Sequence, residues 1–151
     1  MSFAAILPSA YSSTPSLHQA LRFLHNGCGV VHGDVQPSNL LLAADGSLLL
    51  ADFGESQVLE GGAAGDDATC RTQGTAAFAA PECVAGRPYR GRPADVWALG
   101  VTLFCLAFGY CPFGGRCVEE TYEQVRACKF DRFVIDSRLS CPPSSAATAG
   151  L

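Results

Sequence analysis

The spacing of apolar residues predicts a helix close to the start of the sequence. Thr14 followed by Pro15 is typical of a helix start, because a threonine hydroxyl caps free backbone N–H groups and proline has none to satisfy. From Leu17 onward, apolar residues recur at helical spacing. The Asn26-Gly27 pair predicts the end of this helix.

The later apolar pattern predicts two more helices. Residues 95–110 form an almost uniformly apolar run headed by Asp95. The run is shorter than the about 20 apolar residues that a membrane span needs. We therefore predict a central helix that is buried on all sides. Val118, Tyr122 and Val125 recur at helical spacing and predict an amphipathic helix after it.

Between these helices the pattern changes to short strands and loops. Leucine runs at 40–42 and 48–50 flank the turn signal Asp45-Gly46, which predicts a buried β-hairpin. Residues 54–79 are rich in Gly, Ala and Asp and show little periodicity, which predicts a mobile loop. The pattern as a whole predicts a mainly α fold with a small β-hairpin.

The composition at both ends differs from that of the middle. Residues 1–13 are rich in Ser, Ala and Pro and predict a disordered leader. After Cys141 the composition turns to Ser, Ala and Thr, so we predict a disordered tail over residues 136–151. Residues 14–135 then form one domain, which is what a chain of 151 residues can supply.

The charge balance is mildly acidic, with a formal net charge of -4. Nucleic acids and anionic membranes attract basic proteins, so this balance argues against both as partners. The N-terminus has no basic segment followed by a long apolar stretch, as a signal peptide would have. We expect a cytoplasmic protein. None of the eight cysteines stands in C-x-x-C spacing, which favours reduced structural thiols over a zinc site or a disulfide framework.

Three short strings bring together the residue types that phosphoryl transfer requires. Residues 32–39 fit H-x-D-x-x-x-x-N and include Asp34, which can accept or orient the proton of an attacking hydroxyl. Asn39 lies five residues later, so a tight loop can return it to the same cavity. Asp52 begins an Asp-Phe-Gly string and is suited to chelate Mg²⁺, because hard cations prefer carboxylate oxygen. The third string, Ala-Pro-Glu at 80–82, follows after a loop.

In this order, the strings resemble the C-terminal lobe of a eukaryotic Ser/Thr protein kinase over residues from about 16 to 130. Residues 74–82 resemble its substrate-positioning loop, and residues 95–103 resemble its central helix, whose Asp braces the catalytic loop. The strings 37–41, 74–82 and 97–113 are similar to those of the calcium/calmodulin-dependent protein kinase kinases, whose substrates are the activation loops of other kinases.

The resemblance implies ATP and Mg²⁺ as cofactors and a protein substrate, such as the activation loop of another kinase. It implies that Asp34, Asn39 and Asp52 are catalytic, and that Asn39 and Asp52 bind the cofactor and its metal. It also implies structural or regulatory roles for His32, Phe53, Gly54, Thr72, Thr75, Glu82 and Asp95.

The sequence also departs from the family pattern. No Gly-rich G-x-G-x-x-G loop or V-A-I-K strand occurs, and the single lysine, Lys129, lies beyond the motifs. We therefore expect the C-terminal lobe only, with the small N-terminal lobe absent. Gly33 and Gln36 stand where the family has Arg and Lys. A phosphate on Thr72, the expected loop site, would thus lack its usual cation clamp, and Glu82 lacks its usual Arg partner.

Several functions remain open at this level. The chain can be a partial Ser/Thr protein kinase domain that transfers the ATP γ-phosphate to a protein hydroxyl, a pseudokinase fragment that acts as a binding module, or a degraded sequence. His32-Gly33-Asp34 is also similar to small-molecule phosphotransferases of the aminoglycoside and choline kinase type. The presence of Asp34, Asn39 and Asp52 together favours the first function. Gly33, Gln36 and the single lysine favour the binding module or the degraded sequence. An apolar face left uncovered would call for a partner.

Overall fold

A computed structural model describes residues 17–71 and 74–129 of the chain. Thr72, the predicted leader and the predicted tail lie outside the described residues. The described part contains three α-helices and three two-stranded antiparallel sheets. The helices are α1 at 17–23, α2 at Gly91–Phe108 and α3 at Val118–Arg126. The sheets pair β1 (Val30–Val31) with β4 (Gln57–Val58), β2 (Leu40–Leu42) with β3 (Leu48–Leu50), and β5 (Ala68–Thr69) with β6 (Tyr89–Arg90).

Helix α1 continues beyond its α-helical part as one π-helical turn, Leu24–Cys28. The turn ends at Gly29, which has a left-handed φ of 64° and donates its backbone N–H to Leu24 O. A Cβ atom on Gly29 would lie only 2.2 Å from the backbone of Gly62, so this position needs glycine. The prediction that Asn26-Gly27 ends the helix was therefore wrong by two residues, although the helical run from Leu17 is confirmed. The predicted helix start at Thr14 and Pro15 lies outside the described residues.

The leucine hairpin is present, with Leu40 opposite Leu50 and Leu42 opposite Leu48. Its predicted burial is wrong for most of its residues. Leu48 is 5% exposed and packs in the core, but Leu41 is 57% exposed and Leu49 is 51% exposed. The reason is that successive side chains of a strand point to opposite faces, and only one face of this hairpin rests on the core.

The segment 54–79, predicted as a loop without regular structure, contains two of the short strands. Strand β4 returns to pair with β1, so that Val58 lies opposite Val30. Strand β5 pairs with β6, which immediately precedes α2. Periodicity cannot reveal strands of two residues, because one alternation is too short to count.

Helix α2 is the central helix of the fold and lies between two hydrophobic clusters. It begins at Gly91, four residues before the predicted start at Asp95. One cluster joins α1 and the hairpin to α2, and consists of Leu17, Leu21, Val35, Leu48, Ala98, Leu99 and Leu106. The other joins α2 to α3, and consists of Ala79, Ala80, Cys83, Val84, Val101, Cys105, Phe113 and Val125.

The prediction that α2 is buried on all sides was wrong. Val96 is 58% exposed and Gly100 is exposed as well, so one side of the helix is open in the described part of the chain. Within residues 17–71 and 74–129, no helix has the length and apolar character needed to cross a membrane. Helix α3 is confirmed as amphipathic, because Val125 is fully buried while Glu119, Glu123 and Arg126 are exposed. Val118, a predicted apolar-face residue at the first position of the helix, is half exposed instead.

Candidate active site

The loop that carries the first motif is held by one buried carboxylate from α2. Asp95 is 2% exposed. Its Oδ2 accepts the backbone N–H of His32 at 2.8 Å, and its Oδ1 accepts the backbone N–H of Gly33 at 2.8 Å. Asp95 Oδ2 also lies 2.8 Å from His25 Nε2, at the end of α1. Because charged acceptors form the stronger hydrogen bonds, Asp95 fixes the start of the loop to two helices at once.

His32 connects this loop to the Asp-Phe-Gly string. Its side chain is fully buried, with Nε2 at 3.2 Å from Ala51 O and Nδ1 at 3.3 Å from the backbone N of Asp34. These partners assign the tautomer in which Nε2–H donates to Ala51 and Nδ1 accepts from Asp34. The Phe53 ring meets the imidazole edge-on at 4.9 Å. The predicted structural roles of His32 and Phe53 therefore have a direct physical basis.

Asp34 is oriented by four hydrogen bonds, two to each carboxylate oxygen. Oδ2 accepts from Gln36 Nε2 and from Asn39 Nδ2, both at 2.8 Å. Oδ1 accepts from the backbone N–H of Thr75 at 3.1 Å and from its hydroxyl at 3.4 Å. Residues of the first motif and of the predicted substrate-positioning loop thus meet at a single carboxylate.

Asn39 lies next to Asp34, as its spacing predicts. It is 8% exposed, and its Nδ2 donates to both the backbone carbonyl and the carboxylate of Asp34 at 2.8 Å. Within the described part of the chain, its amide oxygen accepts one hydrogen bond, from the Ser38 hydroxyl at 3.4 Å. That oxygen is the neutral, hard donor that Mg²⁺ and Ca²⁺ accept as a ligand.

Asp52 adopts an uncommon backbone conformation, with a φ of 62°. Non-glycine residues rarely enter this left-handed region, although Asp tolerates it better than most. The side chain is exposed, and its Oδ1 accepts the backbone N–H of Gly54 at 3.2 Å. A carboxylate so placed keeps most of its lone pairs available to a cation.

The donor set decides how a metal could be held. Among residues 17–71 and 74–129, no three His, Cys, Asp or Glu side chains form a metal-binding group. A cation at this site would therefore depend on the Asn39 amide oxygen, the Asp52 carboxylate and oxygens that the protein does not supply. Mg²⁺ in phosphate-transferring sites is bound in this way, by one or two carboxylates together with substrate phosphates.

Gly74 lets the substrate-positioning loop approach the catalytic loop. Its φ is 75°, and a Cβ atom would lie 2.6 Å from Gly33 O and 2.9 Å from Asp34 Oδ1. A side chain here would push Thr75 away from Asp34. Further along the loop, Glu82 is half-buried, and none of the described residues forms an ion pair with it.

A second buried carboxylate attaches the loop before residue 71 to the start of α2. Asp67 is 2% exposed and accepts hydrogen bonds from Arg90 Nε and, at 3.0 Å, from the backbone N–H of Arg92. Burial acts to raise the pKa of Asp67, but the hydrogen bonds from Arg92 and Arg90 outweigh it and hold the pKa below its usual value. The Arg92 guanidinium also donates to Ala63 O at 2.7 Å.

Two contacts at the site could not be found from the sequence. Nothing in the spacing singles out His25 as a partner of Asp95, because 70 residues separate them. The departure from the family at Gln36 suggested only a lost charge, whereas its amide still donates to Asp34. The structure therefore retains a hydrogen bond at this position while the positive charge is missing.

Comparison with known proteins agrees with this geometry. The family model for the protein kinase domain matches residues 9–148. The chain is 44% identical over 105 residues to the serine/threonine-protein kinase GRIK1 of Arabidopsis thaliana, which covers 70% of this chain and 26% of that protein. It is 40% identical over 136 residues to the CBL-interacting protein kinase 30 of Oryza sativa subsp. japonica, covering 90% of this chain and 26% of that protein.

The similarity extends to an animal protein. The chain is 40% identical over 111 residues to the serine/threonine-protein kinase stk11 of Xenopus laevis, covering 72% of this chain and 25% of that protein. The chain thus spans about a quarter of the length of the curated relatives described here. The family match over most of the sequence leads to one conclusion: the chain belongs to the protein kinase family and carries part of a Ser/Thr kinase domain.

Proposed function

We propose that this chain carries the catalytic-loop half of a Ser/Thr protein kinase, which transfers the ATP γ-phosphate to a protein hydroxyl when the phosphate-binding half is supplied. The observation that supports this most directly is the position of Asp34, hydrogen-bonded to both Asn39 and Thr75. A pair of loops that converge on one carboxylate can place a substrate hydroxyl next to a proton acceptor.

In this proposal Asp34 accepts or orients the proton of the attacking Ser or Thr hydroxyl. A carboxylate has about four lone-pair sites, and four donors already occupy those of Asp34. An incoming hydroxyl must therefore displace one donor. The Thr75 hydroxyl has the longest contact, at 3.4 Å, so we infer that the substrate replaces this bond while the backbone N–H of Thr75 keeps the loop in place.

Asn39 and Asp52 fit the metal part of the same site. The hydrogen bonds from Asn39 Nδ2 to Asp34 fix the side chain and leave its amide oxygen available to a cation. The Asp52 carboxylate is exposed. These oxygens would hold Mg²⁺. When bound, Mg·ATP supplies the phosphoryl group and neutralises its charge. Gln36 holds Asp34 in place but cannot add the positive charge that a lysine would bring to the transferred phosphate.

We further propose that the described fold is the C-terminal lobe of a kinase domain, without the small N-terminal lobe. The single lysine, Lys129, follows the motifs, and the 151 residues contain no G-x-G-x-x-G string. Phosphoryl transfer depends on gripping the phosphates, so we expect these 151 residues alone to bind Mg·ATP weakly and to transfer phosphate poorly. Radiolabelled ATP with a generic protein substrate tests this. Turnover in the usual kinase range of about 1–100 s⁻¹, abolished by Asp34→Asn, would contradict it.

A chimera tests whether the site itself is competent. The segment of GRIK1 that aligns with this chain is replaced by the chain itself, so that the rest of GRIK1 supplies the phosphate-binding half. We expect phosphorylation of a protein Ser or Thr that Asp34→Asn abolishes and that Asp45→Asn, in the exposed hairpin turn, leaves unchanged. A folded chimera without activity would refute the proposed function.

The binding-module alternative is supported by a different observation, the exposed leucines of the hairpin. Leu41, Leu42 and Leu49 are each about half exposed. An inactive, folded chimera together with a stable complex of the chain through these leucines would favour this alternative. The matches to protein kinases favour a protein hydroxyl over an alcohol-bearing metabolite as substrate. An activation loop of another kinase, and the relation to the calcium/calmodulin-dependent protein kinase kinases, remain predictions for the active chimera.

A further inference from the structure

The end of α2 brings two cysteines together. Cys105 lies in the last turn of the helix, and the helix ends at Gly109, whose φ is 77° and whose backbone N–H donates to Cys105 O at 2.8 Å. The left-handed residue reverses the chain direction. As a result Cys111 returns to the helix end and packs against the hydrophobic cluster that contains Cys105, where the two thiols interact. Both cysteines are free, that is, reduced.

The two sulfur atoms have unequal surroundings. Cys105 is 5% exposed and lies at the negative end of the helix dipole, which disfavours a thiolate. Cys111 is half-buried, and its sulfur faces two donors, the Cys105 thiol and the backbone N–H of Phe113. The contact with Cys105 is the main reason that the pKa of Cys111 falls to about 7, while the same contact and burial raise the pKa of Cys105.

We propose that Cys105 and Cys111 are a peroxide-responsive dithiol that closes to an intramolecular disulfide. Cys111 is the attacking residue because it is half-buried whereas Cys105 is only 5% exposed, and because two donors face its sulfur. Cys105 is the resolving residue because its sulfur is already in contact. This inference rests on the pair itself and is independent of the proposed kinase function.

The chemistry balances with hydrogen peroxide as oxidant. The Cys111 thiolate attacks one peroxide oxygen, the O–O bond breaks, and the products are Cys111 sulfenic acid and hydroxide. The Cys105 sulfur then attacks the Cys111 sulfur and the S–O bond breaks. The leaving OH group takes up the proton of the Cys105 thiol and departs as water. The two thiols lose two electrons in total, which reduce the peroxide.

Among the described residues, a further buried cysteine provides a contrast. Cys83 lies in the same hydrophobic cluster, but its side chain contacts the hydroxyl of Tyr89, and burial is the main cause that raises its pKa. It should therefore react slowly. Cys117 provides the opposite contrast, since it is exposed and lies close to the pair in sequence.

Mass spectrometry of the full, reduced chain tests the pair. The chain is treated with graded hydrogen peroxide, the remaining thiols are alkylated with iodoacetamide, and the protein is digested with trypsin. Because Arg92 precedes a proline, the peptide covers residues 91–116 and contains Cys105 and Cys111 as its only cysteines. We expect this peptide to lose two hydrogens and to carry no alkyl group. Chymotrypsin, which cuts after Phe108, should then yield two fragments joined by the disulfide.

Variants assign the order of the steps. In Cys105→Ser, Cys111 should stop at the sulfenic acid, which dimedone traps, whereas Cys117→Ser should leave disulfide formation unchanged. The rate of oxidation should rise as the pH increases through about 7, because the Cys111 thiolate fraction rises with it. If Cys105→Ser does not fold, as judged by circular dichroism, the mass of the wild-type peptide still decides the question. Full alkylation of residues 91–116 after oxidation of the exposed cysteines would overturn the proposal.

Discussion

Replacing Asp95 by Asn tests the hydrogen bonds that hold the catalytic loop. The substitution keeps the size of the side chain and exchanges one carboxylate oxygen for an NH₂ group. Wild-type Asp95 accepts from the backbone of His32 and Gly33 and contacts His25. In the less damaging orientation, the new NH₂ replaces Oδ1 and faces the Gly33 N–H, so that one hydrogen bond is lost and two donors meet.

The size of the effect follows from burial. A hydrogen bond to a charged group contributes about 1.5–3 kcal/mol, and a buried donor left unsatisfied costs about 1–3 kcal/mol. Because Asp95 is only 2% exposed, water cannot replace the lost acceptor. We expect Asp95→Asn to lower the free energy of unfolding by about 2–4 kcal/mol, a large part of the about 5–15 kcal/mol that stabilises a typical domain.

Urea denaturation provides the assay. The fluorescence of Trp97, the only tryptophan, reports on the α2 surface, where its ring stacks on Phe113 at 5.8 Å, and far-UV circular dichroism checks that both signals change together. The matched control is Asp66→Asn, because the Asp66 side chain is 73% exposed and its ion pair with Arg90 should contribute about 0–1 kcal/mol. If Asp95→Asn is no more destabilising than Asp66→Asn, the bracing role is refuted.

Four further substitutions have expected effects that differ in sign. Gly100→Ala in α2 should raise the free energy of unfolding by about 0.5–1 kcal/mol, because alanine favours the helix and the new Cβ has no neighbouring atom within 4 Å. Gly91→Ala on the same helix should lower the free energy of unfolding, because its Cβ would lie 2.9 Å from the Val31 side chain. Urea denaturation measures both, and equal effects would contradict the packing argument. Gly74→Ala should lower both the phosphorylation by the chimera and its unfolding midpoint, because a Cβ at this left-handed φ of 75° would lie 2.6 Å from Gly33 O. Full activity would show that the loop approach is not needed. Asp67→Asn should lower the melting temperature at pH 7, and the difference from wild type should shrink as the pH falls through the depressed pKa of Asp67, since a lowered native pKa stabilises only while the carboxylate is ionised. A difference that stays constant down to the lowest pH at which both proteins fold would contradict this.

The sequence predicted those contacts of the site that join residues close together in the chain. The contact between Asp34 and Asn39 depends on five residues of loop, and the spacing of the motif is enough to predict it. The helices α2 and α3 were also predicted, because each has enough residues to show a helical period or a continuous apolar run.

The rest depends on relations between distant residues, which one sequence does not show. A leucine in a strand can face the core or the solvent, and only the elements that cover it decide, so the exposure of Leu41 and Leu49 could not be predicted. The same holds for the open side of α2 at Val96. The contact of His25 with Asp95 is a further case, because it depends on how α1 docks against α2.

The position of Asp95 has a consequence for the order in which the protein can become structured during its synthesis. Its three partners precede it by 62 to 70 residues, so a nascent chain that has not yet reached residue 95 lacks the acceptor that holds residues 32 and 33. Translation proceeds from the N-terminus at about 5–20 residues per second, so the catalytic loop emerges several seconds before the group that orders it. During that interval the loop is open to proteases and chaperones, and it becomes protected only when α2 has been made and has docked.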